Sequence, residues 1–229
     1  MDRSVILITG ANRGIGLETA RQLAAQGHDV ILTARSKAKA QQAAAGLDGS
    51  VVPLALDVVD EASVDAAVSV VRDRFGRLDA LVNNAAIDYD THQSVESADL
   101  DRVRRILETN VLGVWRVTQA FLPLLRKSRH PRVVNVSSGS GQLSGWTDPA
   151  PGYAVSKSAL NALTVQMAAD WKRDNILVNA VCPGWVATDM GGSGGGPVTD
   201  GARSVIWAVD LPDDGPTGGF FRHGKRLDW

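Results

Sequence analysis

The sequence predicts a single-domain α/β protein, a doubly wound parallel sheet with helices on both faces, and three observations predict it. Short apolar runs rich in Val, Ile and Leu alternate with longer stretches of helical period along the whole chain, as strand–helix–strand units require. The runs are continuous rather than alternating, the pattern of strands covered on both faces. A glycine-rich turn separates the first run from the first helical stretch, where such sheets receive phosphate groups.

The runs are, in order, Val5-Ile6-Leu7-Ile8, Val30-Ile31-Leu32, Val51 to Leu56, Ala80-Leu81-Val82, Val133-Val134-Asn135-Val136 and Ile176 to Val181. After the first, Ala20, Leu23 and Ala24 recur at helical spacing and Gly27 supplies a stop. Val64, Val68, Val71 and Phe75 mark one helix face, with Asp60 as its N-cap. The helical run from Tyr153 carries two apolar stripes: Leu160, Leu163, Met167 and Trp171, then Ala162, Val165 and Ala169. A helix apolar on two faces is usually buried on both. The sheet covers one, so a homodimer through this helix is expected. No repeat or linker divides the chain, which gives one domain over 1–229. The segment Gly191-Gly192-Ser193-Gly194-Gly195-Gly196-Pro197, with five glycines in seven residues, marks a flexible substrate loop around 187–200.

Composition narrows the function. Of the 229 residues, 44% are hydrophobic and the formal net charge is −1, which gives no attraction to nucleic acid or an anionic membrane. No run approaches the roughly 18 apolar residues of a spanning helix, and the short run after Met1-Asp2-Arg3-Ser4 does not read as a signal peptide. A single cysteine, Cys182, cannot form an internal disulfide, and a cytoplasmic location is expected. His28, His92, His130 and His223 are scattered, and no metal site is expected.

Thr9-Gly10-Ala11-Asn12-Arg13-Gly14-Ile15-Gly16 follows the first strand and opens a helix. Its glycines permit a tight turn and let backbone approach a pyrophosphate, whose charge is favoured at a helix N-terminus. The spacing is Gly-x-x-x-Gly-x-Gly rather than the commoner Gly-x-Gly-x-x-Gly. On these residues the chain resembles the short-chain dehydrogenase/reductase family, in its single-domain, Rossmann-like branch. The ending Asp214-Gly215-Pro216-Thr217-Gly218-Gly219-Phe220 and Trp229 is similar to that of monomeric carbonyl reductases, although their insertion before the catalytic tyrosine is lacking. A nicotinamide cofactor is therefore expected. An NAD site carries an acid after the second strand; here Ala34 stands there, Arg35 follows and Arg13 lies inside the cradle. Two guanidinium groups suit a 2′-phosphate, so NADP(H) is the cofactor expected.

The resemblance implies further contacts. Asp57 and Val58, after the third strand, fall at the adenine. Asn83 and Ala85, in Asn83-Asn84-Ala85-Ala86, line the cofactor groove, with Ala86 where the family has glycine. Pro183, Gly184, Val186 and Thr188, after the sixth strand, meet the nicotinamide and phosphates. Cys182 reads as a packed residue, since no histidine is placed to activate it.

Tyr153 and Lys157 are four residues apart, which puts both on one helix face. A free tyrosine titrates near about 10; a lysine cation about 4 Å away stabilises the phenolate by roughly 4 kcal/mol at an effective dielectric of 20. Tyr153 can then give a proton to a carbonyl oxygen as hydride arrives, with Lys157 holding both phenol and cofactor. Ser138 is the expected partner of the same oxygen, ahead of Ser140 and Ser137. Asn110, in Glu108-Thr109-Asn110-Val111, matches the family asparagine that holds a water between lysine and solvent. Leu143, Trp146, Trp185 and Met190 are expected pocket walls for a ketone, aldehyde or quinone. The competing readings are a sensor or scaffold that binds NADP without turnover, and a nucleotide-sugar epimerase or dehydratase. The latter class is longer and differently spaced at its glycines.

Overall fold

The computed structural model describes residues 3–144 and 149–229. Eight strands form one sheet: β1 (Val5–Ile8), β2 (Asp29–Ala34), β3 (Ser50–Ala55), β4 (Ala80–Asn83), β5 (Arg132–Val136), β6 (Leu177–Val181), β7 (Phe220–Arg222) and β8 (Lys225–Leu227). Their spatial order is β3-β2-β1-β4-β5-β6-β7-β8. Every pairing is parallel except that of β7 with β8. The chain reverses direction across the sheet between β3 and β4, and at that crossover the C-terminal ends of β1 and β4 open a crevice suited to a ligand.

The continuous apolar runs divide residue by residue between two cores. Val5, Leu7 and Ile31 face one side, with α3 (Glu61–Phe75), α5 (Val114–Leu125) and α6 (Pro151–Asp170). Ile6, Ile8, Val30 and Leu32 face the other, with α1 (Gly14–Ala25), α2 (Lys37–Ala44) and α7 (Val198–Val209). With both faces covered, a period-two alternation has nothing to report. Asp60 caps α3 by accepting from the Ala62 N–H at 3.0 Å, and Gly27 ends α1 with φ 91°.

The β7–β8 hairpin was not among the expected strands. Its strands have three residues each, and its two-residue turn is His223-Gly224, both at positive φ. That is the backbone a type I′ turn needs, without the Asn-Gly that would announce it. Exposed Lys225 and Arg226 lie on this last strand and discourage further pairing at the sheet edge.

Two irregularities bear on the site. Between α4 (Leu100–Leu107) and α5 the helix widens into one π turn, Glu108–Gly113, a form that often marks functional sites. On α6, Leu160, Leu163 and Met167 are buried while Val155 and Val165 face outward. Among the described residues no helix is long and apolar enough to cross a membrane.

Candidate active site

The glycine turn is built by contact with the β4 exit. Gly10 has φ 61°, and a Cβ there would stand 3.0 Å from the Ala85 Cα; one on Gly16 would meet the Asn84 Nδ2 at 2.5 Å. Buried Thr9 fastens the two loops: its Oγ1 accepts from the N–H groups of Asn84 and Ala85, both at 2.9 Å. The Asn84 amide donates to the carbonyls of Thr9 and Gly10. Asn83 points the other way. Its Nδ2 donates to Thr118 Oγ1 and Asn135 Oδ1, and Asn135 donates to Thr164 Oγ1, a buried polar chain from β4 through β5 to α6.

The loop after β6 folds over this cradle. Gly201 on α7 leaves room for Val186, Ile15 and Pro183 to converge, and the Thr188 methyl lies 3.5 Å from where a Cβ on Gly14 would be. Gly184 adopts φ 84°. Arg13 Nη1 reaches across to Asp189 Oδ2 at 2.5 Å. The glycine-rich segment is tied back by hydrogen bonds from Ala187 N to Gly196 O, from Gly196 N to Trp185 O and from Gly192 N to Thr188 O. The Trp185 indole donates to Gly191 O at 2.8 Å, and its ring leaves no room for a Cβ on Gly194. Of the expected pocket walls, Leu143, Trp185 and Met190 are exposed, and Trp146 lies outside the described residues.

At the far end of the cradle, Arg35 is exposed just past buried Ala34. A cavity of about 310 Å³ lies nearby, lined by Asn12, Lys39, Gln42 and Ala43. Lys39 was not singled out in the sequence because Lys37-Ala38-Lys39 reads as a solvated helix start; only the fold sets it beside Asn12. Asp57 shapes the turn after β3, accepting from Val59 N through Oδ1. Val58 is buried beneath the π turn, where a Cβ on Gly113 would come within 2.8 Å of it.

The other end of the crevice is lined by α6. Pro151 begins the helix, and Tyr153 and Lys157 follow on one buried face. The Lys157 Nζ lies 5.4 Å from the centre of the Tyr153 ring and donates to Val136 O at 2.8 Å. The lysine is 2% exposed. Burial lowers its pKa from 10.5 to about 8, opposed by the Cys182 thiol, which raises it. Tyr89 meets Tyr153 edge to face at 5.1 Å. The serine turn after β5 packs on the same helix: Ser137 Oγ donates to Asn161 Oδ1 at 2.6 Å, and Asn161 Nδ2 donates to Gly141 O. Ser138 Oγ accepts from Ser140 N at 3.1 Å. Ser137 is thus committed to Asn161, while Ser138 and Ser140 occupy the turn itself. Asn110, fully buried in the π turn, accepts from Ile87 N and donates to Ile87 O and to Ser156 Oγ.

Three neighbours of this end were not foreseen from the sequence: Asp90, which accepts from the backbone N–H of Tyr153, Tyr89 and Asn161. Asn161 carried a signal, since it continues the Tyr153, Lys157 spacing by one more turn. Asp90 and Tyr89 lie in an irregular loop where no periodicity applies. A dinucleotide fits the crevice. Its cradle rejects a Cβ at Gly16, and the first turn of α1 has no side-chain cap, which leaves its N-terminus suited to an anion such as a phosphate.

Residues 4–195 match the family model for short chain dehydrogenase. A short-chain dehydrogenase of Penicillium roqueforti is 39% identical over 226 residues, with 90% of this chain and 88% of the relative covered. The (+)-neomenthol dehydrogenase of Capsicum annuum is 30% identical, with 94% of each chain covered. Among solved structures, NADPH-bound carbonyl reductase from chicken fatty liver superposes with TM-score 0.89 at 30% identity over 100% of both chains. Salutaridine reductase from Papaver somniferum does so with TM-score 0.85 at 29% identity, over 96% of this chain and 99% of that one. With its sheet order, glycine cradle and the extent of these matches, the chain belongs to the short-chain dehydrogenase/reductase family of oxidoreductases.

Proposed function

We propose that this protein is an NADPH-dependent carbonyl reductase, reversible as an alcohol dehydrogenase, that uses Tyr153 as general acid and base on a ketone, aldehyde or quinone. The observation that carries the proposal is the buried Lys157 ammonium 5.4 Å from the Tyr153 ring on one face of α6. The likeness to reductases, including one solved with NADPH bound, supports it.

Gly10, Asn12, Gly14, Ile15 and Gly16 would hold the pyrophosphate, and Arg13, Arg35 and Lys39 the 2′-phosphate. Asp57, Val58, Asn83 and Ala85 would flank the adenosine half; Pro183, Gly184, Val186 and Thr188 would flank the nicotinamide half. Bound NADPH supplies the hydride. Tyr153 gives its phenolic proton to the carbonyl oxygen, and Lys157 stabilises the phenolate left behind. Ser138 donates a hydrogen bond to that oxygen as charge develops on it. Asn110 would hold a water that links Lys157 to solvent. The reading extends to a cytoplasmic setting, consistent with Cys182 as a buried free thiol, and to a homodimer formed through the outward Val155 and Val165 of α6.

Tyr153→Phe tests the proposal. Turnover in an NADPH-consumption assay across ketones, aldehydes and quinones should fall by about 100-fold or more, while NADPH affinity, read by cofactor fluorescence, stays within about twofold. Residual activity above about 5% of wild type, where loss of a general acid removes about 99% or more, would refute the role of Tyr153.

A further inference from the structure

We infer that Asp90 is a positioning residue for Tyr153: its carboxylate fixes the backbone from which the phenol projects and sets how readily that phenol ionises. Asp90 is 0% exposed. Its Oδ2 accepts from Gly152 N and its Oδ1 from Tyr153 N, both at 2.9 Å. Both N–H groups lie in the first turn of α6, which begins at Pro151, a residue with no N–H of its own. The helix therefore takes its cap from a loop 62 residues away. Burying a carboxylate there is costly unless its charge is used, and an N-terminal turn is one place where it is.

The space is made for it. A Cβ on Gly152 would stand 2.8 Å from Asp90 Oδ2, with Ile106 and Val103 of α4 at 3.1 and 3.2 Å on the other sides. The contact also closes a ring of hydrogen bonds around Tyr153. Asp90 holds its N–H, and Ser156 Oγ donates to its carbonyl at 2.7 Å. Asn110 donates to Ser156 and grips both polar groups of Ile87, three residues before Asp90. The π turn, the β4 loop and the start of α6 are thereby locked to each other through the residue that bears the phenol.

Charge gives the second half of the role. Lys157 faces Tyr153 from the next turn of α6, and Cys182, which accepts from Arg222, faces Lys157 from the end of β6. Tyr89 adds an uncharged edge from the loop. On the α4 side, Arg102 feels Asp90 and Asp99 but is ion-paired with Asp88, which Arg105 also approaches. Lys157 and the helix N-terminus both favour phenolate. The Asp90 carboxylate, held against the Gly152 and Tyr153 N–H groups, opposes them.

The inference rests on Tyr153 as the proton donor, and two variants test it apart from that reading. Asp90→Asn removes the charge and one of the two acceptors, since an amide nitrogen cannot accept from an N–H; Gly152→Ala keeps the charge and pushes the carboxylate off the helix. For Asp90→Asn, kcat for carbonyl reduction should fall by about 10- to 100-fold, with NADPH affinity and carbonyl KM within about twofold. The alkaline limb of its pH–rate profile should move to lower pH. Gly152→Ala should lower kcat while leaving that limb in place, and it decides the matter should Asp90→Asn not fold. Wild-type kcat and pH profile in both variants, or losses matched by equal losses of NADPH affinity, would overturn the inference. A wild-type protein that consumes no NADPH with any carbonyl would instead sink the proposed activity itself.

Discussion

The two ends of the crevice are built on opposite principles. At the α6 end, Tyr153, Lys157, Asn110, Asp90, Ser156 and Asn161 are all buried. Each is pinned by backbone or by another side chain. At the cradle end, Arg13 and Asp189 are 67% and 74% exposed at their side chains, and Arg35 projects into solvent. Proton and hydride transfer demand reacting atoms held within a fraction of an ångström. A phosphate asks chiefly for positive charge, which acts over several ångströms and tolerates loosely held side chains. Under the proposed function, rigidity is thus concentrated where bonds would change. Substitutions should cost most activity at the α6 end.

The sharpest test of that contrast is Lys157→Met. A cation buried without a carboxylate partner strains the folded state, which is why burial lowers its pKa from 10.5 to about 8. Between those two pH values the unfolded chain keeps a proton that the folded chain has lost, so this group's contribution to stability rises with pH through that window. Below about pH 8 the folded state carries a penalty of about 3 kcal/mol from this residue. Methionine removes the penalty and leaves Val136 O without its donor, a loss of about 1 kcal/mol. The cofactor-free variant should therefore be about 2 kcal/mol more stable than wild type in urea at pH 7, with the gain fading toward pH 10, and it should be inactive. A variant less stable than wild type at pH 7 breaks the view of this end as one strained for chemistry.

The same contrast governs what could be read without coordinates. The six longer strands were legible because each carries a predominantly apolar run, and Tyr153 with Lys157 because a four-residue spacing survives in any helix. The β7–β8 hairpin was not, since three-residue strands ending in Arg222 and starting at Lys225 leave no pattern. Asp90 was hidden for a different reason: its partners, Gly152 and Tyr153, are more than sixty residues away, and an acid in a loop looks solvated. Lys39 was masked by its own surroundings, a polar helix start that the fold turns toward Asn12. Asn110 could be found by its motif, but the π turn that holds it leaves no mark on local periodicity. Local signals thus pointed to the residues proposed to react, while those that hold them in place emerge only from contacts distant in the chain.

At the cradle end the expected effects are smaller and concern which cofactor binds. Arg35→Ala should weaken NADPH about tenfold, the scale of one charge-assisted hydrogen bond, and leave NADH affinity unchanged. Ala34→Asp should add an acceptor for the ribose hydroxyls and repel the 2′-phosphate, reversing the preference. Both are measured by titrating each cofactor against the wild type and the variants. Tighter binding of NADH than NADPH by the wild type would overturn the assignment of Arg13 and Arg35 to a phosphate.

The smallest effect is expected at the ion pair that bridges the crevice mouth. Arg13 and Asp189 touch at 2.5 Å, yet both are mostly in water, and exposed pairs contribute little. Asp189→Asn should change the melting temperature by about 1 °C or less. It also removes the acid that, among the described residues, is ion-paired with Arg13, so NADPH affinity should rise by about two- to threefold at low salt. That gain should vanish near 1 M salt, where screening shortens to about 3 Å. A fall of several degrees on melting would mean that the cradle end is as tightly structured as α6, and the division of labour between the two would no longer hold.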